Sequence, residues 1–246
     1  MASRANNRIV VFSSADKTLK ESWSDKNRAK NLANFPSPFR MLCLGPPNMG
    51  KSTVAKNIVI AQDPPFDEVY VVHQDAGITR DYIDLEPTEM FSEVPSLEFW
   101  NTLPEYHEQT DEEEELGSDP RPIKRLVIID DLEYTSAHKQ RLANLAILFR
   151  YASSHKGLSI ILCHQSFFDV PALVKKMSDV FIVWRSRARN ELSLIENRVG
   201  LPAGGLSEMF NALAKDPRDS IAIDCIRSSP APLRLNLYTP IRDTGA

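Results

Sequence analysis

The sequence predicts an α/β fold: a mostly parallel sheet flanked by helices, with a C-terminal antiparallel hairpin at a sheet edge. Three observations point there. Short apolar runs alternate with longer stretches of helical periodicity, the pattern of βα units around a parallel sheet. The stretches between runs carry apolar residues at i, i+3, i+4 and i+7, as helices packed on a sheet require. The last two apolar runs are joined only by the turn-prone Ser228-Ser229-Pro230-Ala231-Pro232, which suits a hairpin.

Taken in order, the strand candidates are Arg8 to Phe12, Arg40 to Leu44, Glu68 to His73, Arg125 to Asp130, Leu158 to Gln165 and Asp179 to Arg185, then Ser220 to Ile226 and Leu233 to Tyr238. Helices are expected over Ser52 to Ala61, around Leu142, Leu145, Ala146 and Phe149, around Leu192, Ile195 and Val199 with Gly200 as C-terminal cap, and around Leu206, Met209, Phe210 and Leu213. The chain of 246 residues is 42% apolar and 25% charged, enough for one domain with a real core and unlike a collagen, coiled-coil or wholly disordered chain. Residues 1–38 read as an N-terminal extension and 39–246 as the domain. The acidic run Asp111 to Glu115, with Gly117, Pro120 and Pro122 behind it, reads as a solvated loop over 108–122.

A net charge of −4 advertises no global affinity for nucleic acid or anionic membrane, so any DNA contact must come from a local patch. Apolar runs such as Val180 to Trp184 and Leu145 to Phe149 fall far short of the roughly 20 residues a membrane helix needs. The start, Met1 to Arg8, is polar, without a signal-peptide stretch. These features predict a soluble protein of cytosol or nucleus with no membrane segment of its own. Cys43, Cys163 and Cys225 are widely spaced inside apolar runs, which predicts buried, reduced thiols.

One motif carries chemistry directly. Gly45-Pro46-Pro47-Asn48-Met49-Gly50-Lys51-Ser52 fits G-x-x-x-x-G-K-[ST], the Walker A phosphate loop, and sits between a strand and a helix as that loop must. Glycines let the backbone curl so that successive N–H groups face the β-phosphate, and the helix N-terminus adds its positive end. Gly45 to Ser52 and Thr53 are therefore the nucleotide-binding set. Lys51 is assigned to the β- and γ-phosphates, and Ser52 to Mg²⁺.

An apolar strand ending in carboxylate, Leu126-Val127-Ile128-Ile129-Asp130-Asp131, supplies the second half of such a site. Asp130 is assigned to Mg²⁺ through water, and Asp131 to polarising the attacking water as general base, with Glu133 in reserve. The strand Ser159 to Gln165 places Gln165 to orient that water or sense the γ-phosphate, provided it lies beside the Asp130 strand; His164 reads as ordinary packing. Arg185, Arg187 and Arg189 follow another strand and are arginine-finger candidates toward a neighbouring subunit. Lys175 and Lys176 are alternatives for that role or for DNA backbone contact.

The order GPPNMGKS, LVIIDD, helix, LSIILCHQSFFDVPALVKKMSDVFIVWRS resembles the viral genome-packaging ATPases of the FtsK/HerA superfamily, particularly the poxvirus-type group. The segment Gln165-Ser166-Phe167-Phe168-Asp169-Val170-Pro171 carries most of that resemblance, which covers roughly residues 40 to 200. It implies a P-loop NTPase core of the ASCE, RecA-like type, with the catalytic strand inserted between the two Walker strands. It further implies ATP and Mg²⁺ as cofactors and a homo-oligomeric ring, hexamer or pentamer, that moves double-stranded DNA into a preformed capsid, with a capsid or portal/vertex protein as partner. A viral protein of this kind would work at the host-cell assembly site and could enter the virion. Many relatives carry Glu where this chain has Asp131, so the choice of base between Asp131 and Glu133 stays open. A nucleotide or small-molecule kinase, or a nucleotide-binding assembly scaffold, are the competing readings of the same loop. A GTPase lacks support because no Asn-Lys-x-Asp motif occurs, and an ABC ATPase because no Leu-Ser-Gly-Gly-Gln signature does.

Overall fold

The computed structural model describes residues 31–76, 80–104, 123–135, 137–186, 188–226 and 229–241. The expected strand Arg8 to Phe12, most of the extension, the whole acidic loop and Arg187 lie outside them. The described chain runs β1 (Arg40–Leu44), α1 (Lys51–Ile60), β2 (Glu68–His73), β3 (Glu89–Phe91), α2 (Leu97–Thr102), β4 (Arg125–Asp130), α3 (Lys139–Ile147), β5 (Leu158–His164), α4 (Ala172–Met177), β6 (Val180–Trp184), α5 (Arg189–Val199), α6 (Gly205–Leu213), β7 (Ser220–Asp224), β8 (Leu233–Leu235) and β9 (Thr239–Pro240). The nine strands form one sheet in the order β3-β2-β4-β5-β1-β6-β7-β8-β9. The first six in that order are parallel; β7, β8 and β9 continue the sheet antiparallel.

The central strands are buried along their length, so successive side chains feed two separate cores. On one face Leu42, Leu44, Val127, Ile129, Ile160, Leu162 and Phe181 meet Leu145 and Phe149 of the α3 region, Ile195 of α5 and Phe210 of α6. On the other, Met41, Cys43, Leu126, Ile128, Ile161 and Ile182 meet Val54 and Ile58 of α1 and the aromatic pair Phe35 and Phe39. Residues 31–38, read from sequence as part of the extension, thus bury Leu32, Ala33 and Phe35 in the domain.

Several expectations shift by a few residues for local reasons. The strand expected to reach Gln165 ends at His164, and that expected over Asp179 to Arg185 covers Val180–Trp184. The run expected to Ile226 ends at Asp224, whose carboxylate accepts the Ile226 amide and closes a turn. The run expected to Tyr238 ends at Leu235, because Asn236 and Leu237 both take positive φ, 50° and 74°, and turn the chain into β9. The helix around Leu142 to Phe149 does not stop at Ile147; it widens into a π-helical turn over Leu148–Ala152. Gly200 caps α5 in the left-handed conformation. Cys43 and Cys163 are buried and paired in register across β1 and β5. Cys225 corrects the expectation of three buried thiols: it lies just past the end of β7 and is exposed.

The hairpin edge is tied to the start of the described chain by a buried ion pair. Arg234 donates to Asp224 Oδ2 at 2.5 Å and to the Leu32 carbonyl, with the Arg234 and Asp224 side chains 1% and 0% exposed. Removing one partner strands a buried charge, which costs about 3–5 kcal/mol. Asp224→Ala is expected to lose that much stability in urea unfolding, whereas the double change Asp224→Leu with Arg234→Met loses much less.

Candidate active site

The parallel strands end along one edge, and an open cleft of about 1250 Å³ lies there. It is lined by Pro47 to Thr53 of the loop and first turn of α1, by Asp130, Asp131 and Glu133 after β4, and by His164 and Gln165 at the end of β5. The residues assigned from sequence to nucleotide, metal, base and sensor therefore meet in one place. The exceptions are Gly45 and Pro46, which are not part of its lining.

Gly45 has a packing reason: a Cβ there would lie 2.7 Å from the Trp184 Cβ. Its amide donates to the His164 carbonyl at 3.1 Å, fastening the start of the loop to the end of β5. Gly50 takes φ 97° as the N-cap of α1, a conformation that favours glycine, so the helix N-terminus opens toward the cleft. The Lys51 ammonium donates to the Gly45 and Pro46 carbonyls at 2.8 and 2.9 Å, folded back on its own loop.

Ser52 Oγ donates to Asp130 Oδ2 at 2.7 Å. With its proton spent on the carboxylate, the hydroxyl keeps its lone pairs for a cation. Among the described residues no three His, Cys, Asp or Glu side chains converge on a metal position. One hydroxyl and one carboxylate suit Mg²⁺, which takes one or two protein oxygens and completes its shell with water and substrate phosphate. The residues present fit that ion.

Asp131 is exposed with φ 54°, a left-handed backbone uncommon outside glycine, asparagine and aspartate. Glu133 is exposed too, and its carbonyl accepts from Arg141 at 2.6 Å. Arg141 also pairs with Glu93, whose pKa that guanidinium lowers. The loop after β4 is thereby pinned on its outer side. Gln165 is exposed in the cleft, one residue past β5. The stretch that follows is held by Glu191 of α5, whose buried carboxylate accepts the Phe167 amide and the Ser186 hydroxyl.

The arginine-finger candidates separate. Arg185 donates to Asn211 Oδ1 and to the Phe210 carbonyl and lies over the Phe210 ring, so its own chain engages it. Arg189 begins α5. Lys175 donates to the Phe168 carbonyl and lies over Phe167, and Arg198 donates to the Lys175 and Lys176 carbonyls.

Sequence reasoning missed part of the site. Tyr82, fully buried, donates to Asp130 Oδ2 at 2.6 Å, and Asp81, Lys56, His73 and Gln74 stand beside the same end of the cleft. Burial and the neighbouring carboxylate hold the Tyr82 phenol protonated, with its pKa well above the ordinary value. At the other end are Asp216, Arg218, Asp219 and Asn236, which no motif marks.

With β5 inserted between β1 and β4, the topology is decided. The chain has the P-loop NTPase fold. No family model matches the chain, and no curated protein matches it by sequence. Among solved structures, B204, the DNA-packaging ATPase from Sulfolobus turreted icosahedral virus, is similar at a TM-score of 0.54 and 17% identity, over 84% of this chain and 100% of that one. The cytoplasmic domain of the Thermomonospora curvata type VII secretion ATPase EccC matches 92% of this chain and 30% of its own, at 0.52 and 12% identity. The pCW3 conjugation coupling protein TcpA, solved with ATPγS, matches 78% of this chain and 58% of its own, at 0.50 and 14% identity.

His164 lies against this site, with Nδ1 within 3.2 Å of the Ser166 amide. Desolvation holds its pKa below the ordinary 6.5. The unfolded chain therefore takes up the proton first, and the stability His164 contributes is complete above pH 6.5 and declines as pH falls below it. The melting temperature of the wild type is expected to drop more steeply between about pH 7 and 5 than that of His164→Gln.

Proposed function

We propose that this chain is an ATPase of the FtsK/HerA type whose hydrolysis drives double-stranded DNA, most directly a viral genome, into a preformed capsid. The observation that carries the reading is the convergence of Lys51, the Ser52–Asp130 pair, Asp131 and Gln165 in one cleft, with β5 between the Walker strands. The fold match to a packaging ATPase over that protein's full length supports it.

The geometry gives each residue a task. Lys51 exchanges the Gly45 and Pro46 carbonyls for the β- and γ-phosphates, so it is poised close to its working position. Ser52 and Asp130 hold Mg²⁺, which supplies charge neutralisation on the phosphates when bound. Asp131, displayed by its left-handed backbone, orients and deprotonates the attacking water, with Glu133 two residues on as the alternative. Gln165 contacts the water or the γ-phosphate and passes its state into the segment leading to α4. Active sites lie at subunit interfaces of a ring, where Arg187 or Arg189 of one subunit reaches the nucleotide of the next, since Arg185 is engaged in its own chain. The partners are double-stranded DNA in the pore and a capsid or portal protein. Among the described residues no helix is long and apolar enough to cross a membrane.

Two expectations follow. Steady-state ATP hydrolysis rises when double-stranded DNA is added to the assembled protein, and Lys51→Ala abolishes it; turnover indifferent to DNA in an active assembly overturns the motor. Alanine at Arg187 or at Arg189 lowers kcat by about 10³-fold with nucleotide binding retained, while Arg185→Ala lowers melting temperature without a comparable loss of kcat.

A further inference from the structure

Resting on the reading of Ser52 and Asp130 as the Mg²⁺-holding pair, we propose that Tyr82 is a positioning residue for that site, its phenol fixing the Asp130 carboxylate in the rotation that receives a metal-bound water. A carboxylate turns readily about its last side-chain bond, whose torsional preference is broad. Here two donors end on the same oxygen: Tyr82 OH at 2.6 Å and Ser52 Oγ at 2.7 Å from Asp130 Oδ2. That arrangement locks the group and reserves Oδ1 for the hydrated cation. Outer partners of this kind are commonly worth 10–100-fold in metal affinity or activity.

The way Tyr82 is delivered supports a positioning role. It lies in the excursion between β2 and β3, 48 residues from Asp130 in sequence and fully buried. The excursion is docked on α1, the helix that begins with Lys51 and Ser52. Lys56 of α1 pairs with Asp84 at 2.9 Å, and its ammonium stands 5.8 Å from the Tyr82 ring centre. Tyr82 and Leu85 belong to the same buried apolar cluster as Val54, Ala55 and Ile58 of α1. The loop that binds phosphate and the residue that holds the carboxylate therefore share one support.

Tyr82→Phe keeps the ring and removes only the hydroxyl. Binding of a non-hydrolysable ATP analogue is titrated against Mg²⁺ and repeated in EDTA, for wild type and variant. The expected result is a rise of about tenfold in the Mg²⁺ concentration giving half-maximal binding enhancement, with EDTA binding unchanged. Wild-type Mg²⁺ dependence in a folded Tyr82→Phe overturns the positioning role. A wild type that binds the analogue with no Mg²⁺ dependence overturns the reading of Ser52 and Asp130 itself. Should the variant fail to fold, 3-fluorotyrosine at position 82 gives a ¹⁹F signal expected to shift when Mg²⁺ joins the bound analogue; an unmoved signal contradicts the proposal.

Discussion

The site depends on one constraint: β4, β5 and β1 lie side by side, parallel and in register, so their chains all leave the sheet at the same edge. Buried strands of this kind carry apolar side chains on both faces through their middle, Leu126 to Ile129 in β4 and Ile160 to Cys163 in β5. Asp130, Gln165 and the Walker loop are confined to the edge, where chemistry is possible. The bond from the Gly45 amide to the His164 carbonyl then joins the Walker loop directly to the end of β5.

Part of the chain's irregular backbone lies at that edge. Asp131 takes a left-handed conformation and Asn48 another, φ 61°, in the phosphate loop. Such conformations persist where the surroundings determine them. Beside Asp131, Arg141 donates to the Glu133 carbonyl, and after β5 the Glu191 carboxylate accepts from the Phe167 amide. Each clamps a loop just after a strand end. Glu133 is thus held through its backbone, and Glu133 and Gln165 both line the cleft.

Much of this was legible in the sequence because the signals are local. β1, β2 and β4 fall on the residues expected, since each is an apolar run bounded by charge or by a turn. The Walker loop reads from eight consecutive residues. β3 escaped because three residues give no periodicity, and it pairs only with β2. Tyr82 escaped for a different reason: its meaning lies in a hydrogen bond across 48 residues, inside a segment with neither motif nor repeat. Asp216, Arg218 and Asn236 reach the cleft only because β7 and β8 run antiparallel, which returns the turn before β7 and the end of β8 to the edge where β6 finishes. Cys225 misled because the apolar residues beside it end at Asp224, which turns the chain outward.

On the proposed function one nucleotide engages Lys51, the Ser52–Asp130 pair and Gln165 together, and a structure of the chain with Mg²⁺ and a non-hydrolysable ATP analogue shows whether it does. Lys51 Nζ is expected to leave the Gly45 and Pro46 carbonyls for the β- and γ-phosphates, with Ser52 Oγ on the metal and the Gln165 amide within reach of the γ-phosphate. A nucleotide seated elsewhere, or one bound in the loop with Lys51 still on its own carbonyls, would contradict it.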